Sequence, residues 1–173
     1  VSDWSSDVCS SDLGDAGDYV HWGATTQNVM QTGRILLLRD ADQAIRQHLA
    51  GAATRLGQLA DDEAETMMIG RTNRQYALPI TFGFKVAGWI TELDRAEARL
   101  TDAAKRLFVL PFGGAIGAMH AYGPQGREVN RRLAAALELK EMLVPGRTMN
   151  DVFAEYLLQL SLLAMFVERV MTE

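Results

Sequence analysis

Cysteine is almost absent. The one thiol among 173 residues is Cys9, so the chain beyond it can form neither a disulfide nor a thiolate metal site. Proline is sparse, at 4 residues, and glycine is modest, at 15. Together with abundant Ala, Leu, Arg and Glu, this favours long helices over sheets. No apolar run approaches the roughly 18 residues a membrane span needs. The acidic, serine-rich start does not read as a signal peptide, so a cytoplasmic location is expected. Basic residues are not in excess. The formal net charge is -5 and no basic patch stands out, so nucleic acid is not an expected partner. What is there, 48% apolar and 23% charged residues, suits one globular domain with a buried core.

The first thirteen residues, VSDWSSDVCSSDL, repeat Ser-Ser-Asp and show neither helical nor strand periodicity. Asp3 to Leu13 resembles one reading frame of a short-read sequencing adapter. Residues 1–13 are therefore expected to be an artefact and are set aside from fold reasoning. Without Asp3, Asp7 and Asp12, the remainder carries 17 bases against 19 acids, a net of −2.

Residues 14–173 are expected to be part of a helical-bundle domain, truncated at both ends, with three long helical patterns. The first runs from about Gln27 to Glu65, with apolar or small residues at Val29, Gly33, Leu36, Leu37, Ala41, Ala44, Ile45, Leu49, Ala52, Leu56 and Leu59. Steps alternating between three and four give one packed seam. Such a helix is roughly 55–60 Å long, more than a small domain needs, and suits a bundle or an oligomer. The second pattern opens near Pro79, a plausible first-turn proline, and runs to about Leu107. The third opens at Thr148, with Asp151 three residues on as an acidic capping box. It runs to the chain end with apolar residues on most faces (LLQLSLLAMF), so deep burial is expected. Between the last two lie a glycine-rich stretch, Pro111 to Gly126, and a short helix from about Arg127 to Leu137. Pro145-Gly146 breaks the chain again. No strand pair is expected.

Three clusters could carry chemistry. The first, His21-Trp22-Gly23-Ala24-Thr25-Thr26-Gln27-Asn28, immediately precedes the first helix. Two hydroxyls and free N–H groups at a helix N-terminus make a corner for a carboxylate. A simple N-cap by Thr25 or Thr26 accounts for the same residues. The second, Gly70-Arg71-Thr72-Asn73-Arg74-Gln75, gathers two arginines with amides and a hydroxyl, which suits an anion; taken alone, a solvated loop with surface arginines is the better account. The third, Pro111-Phe112-Gly113-Gly114-Ala115-Ile116-Gly117, is either an anion nest or a tight helix connection. His48 and His120 stand alone. No His or carboxylate pair has metal-ligand spacing, and no phosphate loop, dinucleotide fingerprint or hydrolase elbow is present.

Taken together and in order, these motifs resemble the fumarase/aspartase superfamily. Within it the likeness is greatest to the 3-carboxy-cis,cis-muconate cycloisomerases, then to the adenylosuccinate lyases. Tyr19 to Gln27 is similar to the first signature region, and Gly70-Arg71-Thr72 through Gln75 to Trp89 to the second. Val109 to Ala115 is similar to the turn after the next helix. The resemblance covers essentially Gly14 to Glu173. It implies an all-α fold, the long-helix bundle of the family's central domain, assembled as a homotetramer with active sites where three subunits meet. It implies elimination, addition or lactonising cycloisomerisation next to a carboxylate, on a small polycarboxylate or succinyl adduct, with no metal or organic cofactor. His21, Thr25, Thr26 and Gln27 would bind substrate, the last three holding its carboxylate. Arg71, Thr72 and Gln75 would line the same pocket from another subunit. Asn73 stands where many members place a catalytic histidine.

Departures accompany the likeness. The family's mobile G-S-S-x-M-P-x-K-x-N-P loop, which carries the serine base, is not in the 173 residues, so the chain by itself is expected to be inactive. Asn73 cannot act as acid or base near neutral pH. Asn28 and Gln31 stand where acids often do. Thr148-Met149-Asn150-Asp151-Val152 replaces a segment often reading Thr-Gln-Arg-Asp-Arg. A non-catalytic oligomeric helical scaffold is the alternative that these losses motivate.

Overall fold

The computed structural model describes residues 13–145 and 148–173. The stretch expected to be artefactual lies outside them except for Leu13, and so does Gly146 of the Pro145-Gly146 break. The described residues fall into two compact units. One holds the described part of Val1–Leu38 together with Phe108–Met149. The other holds Arg39–Leu107 and Asn150–Glu173. Helix α1, Thr26–Asp62, begins in the first unit and ends in the second.

In the first unit a 3-10 helix, Gly14–Tyr19, precedes α1. Strand β3, Val109–Leu110, runs parallel to β4, Lys140–Glu141. Between them come a 3-10 helix, His120–Gln125, and α3, Gly126–Ala136. Ile35, Leu110, Phe112, Ala134 and Leu139 form the apolar core. Helix α3 ends without glycine. Glu138 takes the left-handed conformation at φ 55. Its N–H donates to the Ala135 carbonyl at 3.2 Å, and that of Leu139 to Ala134 at 2.9 Å. These two bonds are the Schellman pattern that closes a helix.

The second unit contains the remainder of α1, a hairpin of β1 (Met67–Thr72) and β2 (Gln75–Thr81), α2 (Phe82–Leu107) and α4 (Asp151–Thr172). The hairpin corrects the expectation of no strand pair and of a helix opening at Pro79. Thr72 pairs with Gln75 across a two-residue turn. Asn73 and Arg74, at φ 47 and 64, are both left-handed, as the type I′ turns of tight hairpins require. Asparagine suits that conformation, but no glycine follows it, so the usual turn signal is missing. Pro79 is tolerated because a two-stranded ribbon is all edge. The register shifts between Ile69 and Arg71. A Cβ on the intervening Gly70 would lie 2.8 Å from the Leu78 carbonyl oxygen, so the bulge needs glycine there. Helix α2 starts where the Thr81 hydroxyl accepts the Phe84 N–H at 3.2 Å, a side-chain N-cap.

Helix α2 buries Val86, Leu93, Ala96, Leu100, Ala103, Ala104 and Leu107, one apolar face at helical spacing. Helix α4 differs from expectation twice. It starts at Asp151 with Asn150 as N-cap and no side-chain cap bond, so the capping box from Thr148 does not form. It buries Tyr156, Leu163 and Phe166 but leaves Leu158, Met165 and Met171 exposed. Within its unit only one face is covered, so the apolar excess stays in solvent.

The seam of α1 also differs. Its buried positions are Asn28, Gln31, Ile35, Asp42 and Leu49, whereas Val29 and Leu37, expected in the seam, are exposed. A search for apolar residues overlooks a buried face whose polar groups are hydrogen-bonded in place.

Candidate functional site

The head of α1 is built around Asn28, which is buried. Its Oδ1 accepts the Thr25 N–H at 3.3 Å, reaching back as the third helical residue does in a capping box. The same oxygen accepts the Gly114 N–H at 3.0 Å, and Nδ2 donates to the Pro111 carbonyl at 2.9 Å. One amide thus ties the helix start to the glycine-rich loop 86 residues away. The loop fits only as glycine at its closest point: a Cβ on Gly114, at φ +76, would lie 2.8 Å from the Gly23 carbonyl oxygen. On the other side the Tyr122 hydroxyl donates to the Trp22 carbonyl, and burial pushes that phenol's pKa up.

These ties frame a cavity of about 220 Å³ lined by Gly23, Ala24, Gly113, Gly114 and His120, among others. Thr25 follows Ala24 directly. Among the described residues neither the Thr25 nor the Thr26 hydroxyl takes part in a hydrogen bond. The plain hydroxyl-cap reading of the two threonines is therefore not what the structure displays. His21, at φ 66, and Trp22 are exposed, and Trp22 stacks on Tyr19 at 5.2 Å.

The second cluster lies in the other unit, on the hairpin. Arg71, Thr72, Asn73 and Gln75 are all exposed, and Asn73 is at the turn. Arg71 borders a cavity of about 450 Å³ with Lys85 and Glu173. Lys85 bonds Glu173 at 2.9 Å and lies 5.5 Å from the Trp89 ring centre. Its bond, and secondarily Arg169, holds the Glu173 carboxyl below the usual range. Each cluster is thus described within its own unit, and neither unit alone contains both. A further cavity of about 450 Å³ is bordered mainly by apolar residues, Leu49, Leu56, Phe166 and Met171 among them, with His48 and Arg55 also in its lining.

The family follows from comparison with known proteins. A family profile described as Lyase matches residues 6–172. The chain belongs to this lyase family. It is similar to the N-acetyl-S-(2-succino)cysteine lyase of Enterococcus italicus, 38% identical over 83% of this chain and 31% of that protein. The adenylosuccinate lyase of Methanothermobacter thermautotrophicus is 37% identical over 92% and 36%. The 3-carboxy-cis,cis-muconate cycloisomerase of Bradyrhizobium diazoefficiens is 40% identical over 87% and 33%. Among solved structures, the 3-carboxy-cis,cis-muconate lactonizing enzyme of Pseudomonas putida superposes with a TM-score of 0.90 at 38% identity, over 95% of this chain and 38% of that one. The chain spans about a third of the length of the curated relatives it matches. The fold is the helical fumarase/aspartase fold.

Placed in this lyase family, the departures change meaning. Asn28 is not a lost acid with nothing in its place: its Nδ2 donates to a carbonyl, which an ionised carboxylate cannot do. Reading it as part of a ligand-binding run missed this anchoring role, and the signal was its position three residues after Thr25. Asp42, also unremarked in the sequence, is buried in the second unit. It accepts the Tyr156 hydroxyl at 2.7 Å and Arg46 Nε at 2.7 Å, while Arg46 also donates to Thr101 at 2.7 Å. This network joins α1, α2 and α4.

Proposed function

We propose that the chain is the part of a lyase or cycloisomerase that binds the carboxylate-bearing end of its substrate. The single observation behind this reading is the head of α1, where Thr25 directly follows Ala24 in the wall of a glycine-lined cavity and, among the described residues, the Thr25 and Thr26 hydroxyls make no hydrogen bond. The first turn of a helix offers N–H groups and a partial positive charge to an anion. The relatives' names support the substrate class, since two of them carry a succinyl group, on sulfur or on an amine, and the third is a carboxylated muconate.

In this reading a base takes the proton next to a carboxylate, the charge spreads into that carboxylate, and the bond on the neighbouring carbon breaks. Thr25, Thr26 and Gln27 hold the carboxylate as its charge rises. Arg71, Thr72 and Gln75 approach from another subunit of a homotetramer, and His21 contacts substrate beside Thr25, Thr26 and Gln27. Asn73 sits where a relative's histidine would, able to donate or accept a hydrogen bond but not to carry a proton. The exposed apolar residues of α4 support assembly into an oligomer. A cytoplasmic setting fits a chain whose described residues include no helix long and apolar enough to cross a membrane.

The test begins at the gene. Reading beyond codon 173 is expected to reveal a G-S-S-x-M-P-x-K-x-N-P loop. The protein carrying it is expected to turn over carboxymuconate, adenylosuccinate or an S-succinylated thiol, and to lose about a hundredfold in kcat/KM with Thr25→Ala and Thr26→Ala together. The 173-residue chain is expected to show no turnover. A full reading frame without that serine favours the scaffold alternative, which Asn73 already suggests. A Thr25→Ala/Thr26→Ala pair with unchanged kinetics removes the carboxylate assignment.

A further inference from the structure

His120 is absent from every motif that marks the family, yet it is the imidazole the fold delivers to the cavity at the head of α1. The delivery is specific. Met119 adopts the left-handed conformation at φ 55, which a branch-free but bulky side chain rarely takes. Its N–H donates to the Gly113 carbonyl at 2.9 Å, and its own carbonyl accepts the Tyr122 N–H at 3.0 Å. The Tyr122 hydroxyl is bonded in turn to Trp22. The chain is therefore pinned on both sides of His120 to the segments that form the cavity wall, and the reversal at Met119 brings the imidazole to its lining.

The rest of that lining is glycine, alanine and one isoleucine. Among the described residues no other titratable residue, from the α1 head, the glycine loop or the 3-10 helix, lines the cavity. Among the described residues the imidazole makes no hydrogen bond or ion pair. At about 220 Å³, the space is about seven times the ~30 Å³ share of one liquid water, enough for a small acid.

We propose that His120 is a substrate-contacting residue of this chain, the cationic contact of a carboxylate pocket closed by Gly23, Gly113 and Gly114. The proposal rests on the reading of the α1 head as a carboxylate site and adds to it a specific, pH-dependent contact. Within its own unit, His120 is the one titratable residue in the lining of this cavity. A carboxylate is paired by the protonated imidazole and not by the neutral ring, so binding is expected to weaken as pH rises.

The experiment uses the 173-residue chain and fumarate as the probe. NMR resolves the imidazole signals of its 3 histidines during pH titrations with and without fumarate. The expected result is a His120 signal that moves on addition of fumarate, with an upward-shifted midpoint, while His48 in the other unit stays put. Fumarate affinity is expected to fall roughly tenfold from pH 5.5 to pH 8. His120→Gln, an exposed and tolerant substitution, is expected to bind about tenfold more weakly at the low end and to lose the pH slope. Thr25→Val is expected to weaken binding while keeping the slope. Fumarate binding that depends on Thr25 but ignores both pH and His120→Gln overturns the His120 assignment and leaves the carboxylate site standing. Wild-type chain that takes up no fumarate at any pH overturns both.

Discussion

The head of α1 and the tip of the β1–β2 hairpin look alike as sequence, each a run of small, hydroxyl and amide residues ahead of a long helix. The folded chain builds them in opposite ways. At the first, Asn28 is buried and makes three hydrogen bonds that hold the helix start and the glycine loop together. At the second, Arg71, Thr72, Asn73 and Gln75 stand in solvent on a two-stranded ribbon. One cluster is organised by its own unit. The other presents its groups on a backbone shaped by the turn alone. A pocket wall can be made in either manner, but only the first is preorganised before a ligand or a neighbouring chain arrives.

The largest effect should come from removing that organisation. Asn28→Asp keeps size and both acceptor bonds but sets an oxygen against the Pro111 carbonyl and buries a charge. A loss of about 2–4 kcal/mol at neutral pH is expected from urea melts. The unfavourable contact raises the folded pKa of the new carboxyl, so the folded state binds the proton more tightly. The loss should therefore shrink as pH falls below about 5, where a protonated carboxyl can donate to Pro111 again. A pH-independent loss below about 0.5 kcal/mol would show that the loop is held by something else.

Tyr156→Phe should come next. It deletes a donor to a buried carboxylate and is expected to cost about 1.5–3 kcal/mol. Burial, then the bond to Asp42, pushes the Tyr156 phenol well above its ordinary pKa of 10. A raised folded pKa means that the stabilisation is complete below about 10 and is lost as pH rises beyond it. Ultraviolet titration should find one tyrosine that ionises only on unfolding. A full complement of tyrosines titrating near 10 in the folded chain contradicts this.

How far the sequence carries can be read from these same residues. The α2 stripe from Val86 to Leu107 was legible because one apolar face repeats at helical spacing. The family was legible because its motifs recur in register. The hairpin was hidden because Asn73-Arg74 lacks the glycine that usually announces a type I′ turn, and because Pro79 reads as a helix start. The seam of α1 was misplaced because Asn28 and Asp42 are buried by partners 83 and 114 residues away, and no local pattern reports such partners. His120 stood alone in the sequence for the same reason: what places it is the left-handed turn at Met119.

The hairpin turn and the end of α3 give smaller effects, and they test the comparison from the backbone side. Histidine, like asparagine, is enriched among residues with positive φ. Asn73→His should therefore leave stability within about 0.5 kcal/mol. Glu138→Gly should stabilise by roughly 0.5–1 kcal/mol, because the left-handed position closing α3 carries a Cβ it does not need. Destabilisation by Glu138→Gly in a chemical melt would mean that the glutamate side chain has a partner worth more than the strain.

The smallest effect belongs to the solvent-facing pairs of α3. Glu128 bonds Arg131 at 2.8 and 2.7 Å and Arg132 at 2.7 Å. Those bonds, Arg131 first, lower its carboxyl to about 2. A depressed folded pKa means that the pairs contribute above the ordinary carboxylate range and are lost as pH falls from there towards about 2. Full exposure keeps the contribution slight, so it should be visible as a titration midpoint rather than as a shift in a melt. Carboxyl-carbon NMR is expected to place the Glu128 midpoint near 2, and Glu128→Gln to speed amide exchange in α3 without moving the α1 head. A midpoint in the ordinary glutamate range would mean that the two arginines are free in solution, and that the order of the first unit resides in its buried amides alone.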